Sequence, residues 1–379
     1  MRFGLAFNIT NEFHFLDISR PSQDNVHGLV LVNRGSDDQI ADIEVDVSTH
    51  YSSSSPPDVQ FGELFFSKTF ELDYSRVPED ECIEIEAVIR LKPDVNKKLD
   101  SLSIKSERLG INMQGSLTWT VDNLSLHAAH GNTVYGASDP EPLVTHNISA
   151  SSITGEIYGY FVADAHLNMT NDAGNTGVFL IPRMNSDVPA TLESITVTSV
   201  SGEMIVGTLA EIDLWPMRPF HHTTHIRSET GKIRAGVPHG TLTNITNDKG
   251  DMTATLIPFG ADPGTETEFH TQTNEGNMYV HVYNTIQESL KDGQVDPLLS
   301  LKSRHEVVKG SAKIRYPYSW WGSLEGKVDK GTLEFDGTRM DKVEKGDGWV
   351  KAWRGESESF MESWVCEGEL DVKIGLGPE

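Results

Sequence analysis

Apolar and polar residues alternate along most of the chain, in short runs that close on a polar turn and a glycine. In Ala41–Val47 the alternation places Ile43, Val45 and Val47 on one face and Asp42, Glu44 and Asp46 on the other. Successive side chains of a strand point to opposite faces, so this pattern predicts strands with one buried side. Glu81–Arg90, Leu102–Lys105, Leu117–Val121, Ile195–Thr198 and Met278–Val282 repeat the same period. Only Thr285–Leu290 reads as a short helix, and it ends before Asp292-Gly293. The Ser52–Pro57 segment breaks the alternation and predicts an exposed loop.

A recurring phrase joins these runs: β-formers, a polar turn ending in Gly, then more β-formers. It reads Ser151-Ser-Ile-Thr-Gly155-Glu-Ile-Tyr, Thr198-Ser-Val-Ser-Gly202-Glu-Met-Ile, Arg227-Ser-Glu-Thr-Gly231-Lys-Ile-Arg and Thr246-Asn-Asp-Lys-Gly250-Asp-Met-Thr. Looser copies centre on Gly110, Gly131, Gly174, Gly276, Gly310, Gly331, Gly346 and Gly368. The mean interval is about 23 residues, within the range that signals stacked structural repeats. Two excursions, Leu214–His222 and Gly260–Gly264, interrupt the rhythm. The pattern predicts an all-β fold, an elongated right-handed β-solenoid or β-helix. Residues 1–98 read as a β-rich N-terminal cap or irregular first coils, and residues 99–379 as the repeat region with an aromatic C-terminal cap. A tandem β-sandwich is the structural alternative, because alternating strands at this spacing build sandwiches too.

Charge narrows the partners. The 379 residues carry a net charge of −25. Residues 300–379 hold 13 Lys+Arg against 15 Asp+Glu, leaving 18 against 41 for residues 1–299. Such a surface repels nucleic acid and anionic membranes. No stretch has the roughly 18 apolar residues of a membrane-spanning helix, and no signal peptide is visible at the start of this chain. The two cysteines, Cys82 and Cys366, lack the clustered partners of a zinc or redox site. They read as buried free thiols or one long-range disulfide. Five Asn-x-Ser/Thr sequons, at Asn8, Asn123, Asn147, Asn168 and Asn244, hint at secretion.

The Ser/Thr-x-x-Gly-(Asp/Glu)-apolar-x-apolar phrase, the five sequons and the lead-in Arg34-Gly-Ser-Asp-Asp38 together resemble the adhesin-like β-solenoid surface proteins of bacteria and, more divergently, of fungi. Over residues 100–375 the resemblance implies an extracellular or envelope-associated solenoid. It carries no catalytic residues across.

Two side-chain groups could carry chemistry. His221 and His225 would share a strand face, with His222 turned away, and two imidazoles beside a carboxylate suit Zn²⁺ or Cu²⁺. No second ligand set completes the site, so a solvated loop is the favoured reading. Five of the seven tryptophans, Trp320, Trp321, Trp349, Trp353 and Trp364, fall within 45 residues. Trp349, Trp353, Trp320 and Trp321, flanked by Lys351 and Arg354, form a candidate glycan platform. The competing reading is that large aromatics seal the end of the solenoid. Acidic residues after the turn glycine (Glu156, Glu203, Asp251, Glu369) suggest a carboxylate ladder, broken by Lys232 and Ser311.

No nucleophile elbow, phosphate loop or Gly-His-Gly element occurs, and nothing singles out a catalytic pair or a cofactor site. Three functions remain: a non-catalytic adhesin-like surface or secreted protein binding glycans or a cell-surface protein; a carbohydrate-active β-helix lyase or hydrolase; a structural spacer.

Overall fold

The computed structural model describes residues 2–9, 11–19, 24–52, 58–64, 68–94, 97–114, 117–136, 143–162, 165–181, 192–208, 220–290 and 293–376. Most of the Ser52–Pro57 loop and of the Leu214–His222 excursion lies outside the described residues. The described chain is all-β apart from 3-10 turns at Gln287–Ser289 and Pro297–Leu299. The helical pattern of Thr285–Leu290 therefore yields a single tight turn, too short to propagate as an α-helix. Two compact units span Met1–Ile181 and Pro182–Glu379.

The first unit contains β1 (Arg2–Phe7), β2 (Glu12–Ile18), β3 (Val26–Arg34), β4 (Ile43–Tyr51), β5 (Gln60–Leu64), β6 (Thr69–Asp73), β7 (Ile83–Leu91), β8 (Lys98–Ser106), β9 (Gly110–Met113), β10 (Thr120–Ala128), β11 (Thr133–Tyr135), β12 (Val144–Ser152), β13 (Ile157–Val162), β14 (His166–Ala173) and β15 (Thr176–Ile181). Two strands make one coil, and coils stack by parallel, in-register pairing. One ladder runs β6–β2–β8–β10–β12–β14; the other runs β7–β3–β9–β11–β13–β15. Antiparallel strands close the far end, β5 against β6, β4 against β7 and β1 against β4. Phe3 of β1 stacks on Phe61 of β5 with centroids 4.6 Å apart, and Phe7, Phe13, Phe15 and Phe70 pack beneath.

The second unit contains β16 (Ser194–Ser201), β17 (Met204–Thr208), β18 (Thr223–Thr230), β19 (Ile233–His239), β20 (Leu242–Lys249), β21 (Met252–Pro258), β22 (Thr267–Glu275), β23 (Met278–Val282), β24 (Leu301–Pro317), β25 (Gly322–Gly337), β26 (Lys342–Gly346), β27 (Trp349–Arg354) and β28 (Phe360–Leu376). Parallel ladders β16–β18–β20–β22–β24 and β17–β19–β21–β23–β24 continue the coil pattern. From β24 onward one long strand serves both ladders. The final strand, β28, then enters between β24 and β25, parallel to both. Gly346, counted among the repeat glycines, instead lies in β26, part of an antiparallel hairpin that adds β27 to β25. Parallel pairing between strands whose registers differ by 19 residues (Thr223↔Leu242) to 34 (Thr267↔Leu301) is the signature of coils. Sandwich hairpins would pair antiparallel.

Inward residues stack into columns. In the first unit Phe13, Leu102, Leu124, Ile148 and Leu167 form one, and Phe15, Ile104, Leu126, Ala150 and Met169 the next. The buried position nearest the turn is polar in many coils: Ser106, Ser152 and Asn171 in the first unit, Ser228 and Asn247 in the second. Most of them cap the turn: Ser152 Oγ accepts from Gly155 N at 2.8 Å, and Asn247 Nδ2 donates to the Gly231 and Gly250 carbonyls. Each turn glycine packs onto the one before it. A Cβ on Gly250 (φ +130°) would sit 2.0 Å from the Gly231 carbonyl oxygen.

Both interiors also hold titratable groups. Burial raises Asp17, which accepts from Ser106 Oγ and from Glu107 N, to about 6. Burial lowers His222 to about 4, and His239 and His305 to about 3. His305 bridges Thr271 Oγ1 (2.8 Å) and the Tyr316 hydroxyl (3.0 Å). The cysteines are free thiols and neither is fully buried: Cys82 is exposed just before β7, and Cys366 is half-buried in β28.

Two predictions follow from this packing. Gly250→Ala costs about 3 kcal/mol or more by urea denaturation, since strain and carbonyl overlap add. Gly236→Ala in β19, where the nearest atom to an added Cβ is 3.9 Å away, stays within about 1 kcal/mol. The buried acid and the buried bases respond oppositely to pH. The histidines contribute fully above their unfolded value of 6.5 and lose about 2 kcal/mol each by pH 5, because only the unfolded chain takes up the proton. Asp17 binds its proton more tightly when folded, so its site gains about 1 kcal/mol between pH 7 and 5. Urea midpoints measured at both pH values should fall on acidification. Asp17→Asn steepens that fall and His305→Asn flattens it.

Candidate functional site

The outer face of the second unit's last strands carries a cavity of about 350 Å³. Register assembles it from four strands. One rung reads Glu306 (β24), Trp364 (β28), Lys327 (β25) and Trp349 (β27). The neighbouring rung reads Arg304, Glu362, Glu325 and Lys351 in the same strand order. All eight line the cavity, with Gly326, Val350 and Ser363 completing it. At the spacing of paired strands each rung is roughly 14 Å across, and the two tryptophans stand on strands roughly 10 Å apart.

Alternation within β27 explains this arrangement. Trp349, Lys351 and Trp353 face outward, while Val350, Ala352 and Arg354 are buried. Charges within the cavity are internally matched. Lys351 Nζ lies 2.6 Å from Glu325 Oε1, and Arg304 pairs with Glu306 and, at 3.8 Å, with Glu362. Trp364 Nε1 donates to Asp329 at 3.0 Å, which holds its indole in place. What remains open is a shallow surface of two indoles, with paired charges that can re-aim hydrogen bonds toward a polar ligand.

The six residues of the sequence-predicted platform do not come together as one surface. Trp349 and Lys351 line the cavity; Trp353 lies beside it under Lys342, whose ammonium is 5.1 Å from the ring. Trp320 is fully buried against Tyr316, with centroids 5.8 Å apart, and so packs the coil end. Trp321 is 44% exposed, and Arg354 lies beneath it, 3% exposed. Trp364, Lys327, Arg304 and the three glutamates were not singled out from sequence. Their assembly depends on β28 entering out of chain order. The available signal was the outward parity of Trp364 between buried Ser363 and Val365.

His221 and His225 are both exposed and His222 is buried. His221 Nε2 sits 3.3 Å from Asp262 Oδ2, and His225 stands between Thr196 and Asn244 in the ladder. Among the described residues no group of three or more His, Cys, Asp or Glu side chains is placed to hold a metal ion. The acidic residues after the turn glycine latch successive turns: Asp251 Oδ1 accepts from Asn277 N and Nδ2, and Glu156 Oε1 accepts from Asn175. No described helix is long and apolar enough to cross a membrane.

No family model matches the chain, and no curated protein matches it. A solved structure from Clostridium sporogenes, described as a "putative cell adhesion protein", aligns over 99% of both chains at 9% identity. Its TM-score of 0.16 is too low to carry an argument about this chain.

Proposed function

We propose that the protein is a non-catalytic, adhesin-like β-solenoid that acts at a cell surface or after secretion and recognises a glycan through the cavity between β24 and β27. The observation that carries this reading is the pairing of Trp349 and Trp364 across Lys327 on a solvent-facing sheet. Flat apolar rings flanked by fixed polar groups suit the apolar faces and hydroxyl rims of sugars. Their separation matches alternate sugars of an extended chain better than a single monosaccharide.

Two further features support the reading. The sequon asparagines are exposed at Asn8, Asn123 and Asn168 and half-exposed at Asn147 and Asn244, so a secreted chain could carry glycans there. Each cavity glutamate faces a lysine or arginine. A glycoside hydrolase instead keeps one carboxyl in apolar surroundings as its acid. That contrast favours recognition over hydrolysis.

A glycan array run with wild type, Trp349→Ala/Trp364→Ala and Trp353→Ala tests the proposal. The expected result is selective binding that the double variant weakens at least about tenfold and Trp353→Ala largely retains, with circular dichroism unchanged. Absence of binding by wild type, or equal binding by the double variant, refutes the assignment. Product release from a bound glycan would replace recognition by catalysis.

A further inference from the structure

Arg354 is unusual in a protein this acidic. The residue is only 3% exposed, and its Nη1 has no hydrogen-bond partner among the described residues. No carboxylate among them lies within ion-pair distance of it. Asp341, across the hairpin, is engaged elsewhere and accepts from Gly355 N at 2.5 Å. Instead the guanidinium is held by rings, 4.3 Å from the centroid of Tyr318 and 5.5 Å from that of Trp321.

Arginine cannot shed its proton to escape burial, so an unpaired buried guanidinium is costly unless an anion reaches it. A second cation stands nearby. Arg339 lies 5.3 Å from the Tyr318 centroid, and it takes φ +56°, a left-handed conformation rare outside glycine. Tyr318 and Trp321 remain 38% and 44% exposed, so the group of four reaches the surface. It also falls outside the cavity lining, because β27 turns Arg354 away from Trp349 and Lys351.

We propose that Arg354 and Arg339 form a second binding site, a receptor for the carboxylate of an acidic sugar, with the sugar ring resting on the exposed face of Trp321. A guanidinium fork matches a carboxylate in geometry and charge, and the indole supplies the flat apolar contact that a free inorganic anion would not use. Carboxylate binding would neutralise the buried charge, so occupancy should stabilise the fold.

Thermal unfolding with D-galacturonate, galactose or acetate, in buffer free of phosphate and sulfate, tests this in wild type, Arg354→Met and Arg339→Ala. The wild-type midpoint should rise by about 5 °C at a hundredfold excess of galacturonate over its Kd, and not with galactose or acetate. Arg354→Met should abolish the rise and, unliganded, unfold no earlier than wild type. Arg339→Ala should weaken galacturonate binding about tenfold. No rise in wild type, an undiminished rise in either variant, or an equal rise with acetate overturns the proposal. Arg339 is exposed, so its variant decides the matter even if Arg354→Met fails to fold.

Discussion

Successive coils in each unit can approach only as closely as their turns allow, and the turns touch through glycine. In the second unit the carbonyl oxygen of one turn glycine lies where the next would carry its Cβ, from Gly202 through Gly231, Gly250, Gly276, Gly310 and Gly368 to Gly331. Any side chain in that column would push two coils apart and break the in-register ladders on either side of the turn. At Gly250 the buried Asn247, three residues earlier, satisfies the turn's backbone groups from inside, as Ser152 does at Gly155 in the first unit, whereas valines (Val307, Val328 and Val365) stand at that position before Gly310, Gly331 and Gly368. Hydrophobic columns supply the favourable energy of burial. The glycine column makes that burial geometrically available.

The order of that column differs from the order of the chain. Gly368 sits between Gly310 and Gly331, because β28 fills a slot left open between β24 and β25. The first unit does something similar: β2 and β3 occupy the place between the β6–β7 coil and the β8–β9 coil. Each arrangement makes a terminal segment an interior strand and leaves antiparallel strands at the end of the stack. Such ends resist edge-to-edge pairing. Beside the free part of β25, Lys345 donates to the Phe335 carbonyl and covers the Phe335 ring, placing a charge where another strand would dock.

Local rules were legible in the sequence because they act within one coil. Period-two alternation correctly identifies the buried set Ile43, Val45 and Val47, and a polar turn ending in Gly marks corners such as Gly155, Gly231 and Gly250. What the alternation leaves open is slot order, since a strand fits any neighbour with matching columns. Gly346 joined the repeat series for that reason: it follows a β-run as a turn glycine does, yet belongs to a hairpin. The tryptophans show the same limit. Parity on β27 was readable, but whether Trp364 or Trp353 stands beside Trp349 in the cavity depends on which strands neighbour β25.

The out-of-order insertion also accounts for where unlike side chains gather on the surface. Regular coils repeat similar outward residues, such as Asn123 beside Asn147 and Ser103, Ser125 and Ser149 in one row, and a uniform polar surface offers little to distinguish ligands. At β24, β28, β25 and β27, neighbouring strands come from different repeats and a hairpin, so unlike residues meet: two indoles, two lysines, an arginine and three glutamates. The same hairpin carries Arg354 inward to Tyr318 and Trp321 while sending Trp349 and Lys351 outward. Both candidate sites therefore depend on β27. Because its alternate residues serve the cavity on one side and the arginine–aromatic group on the other, a shift of one residue in its register would exchange the two sets and dismantle both.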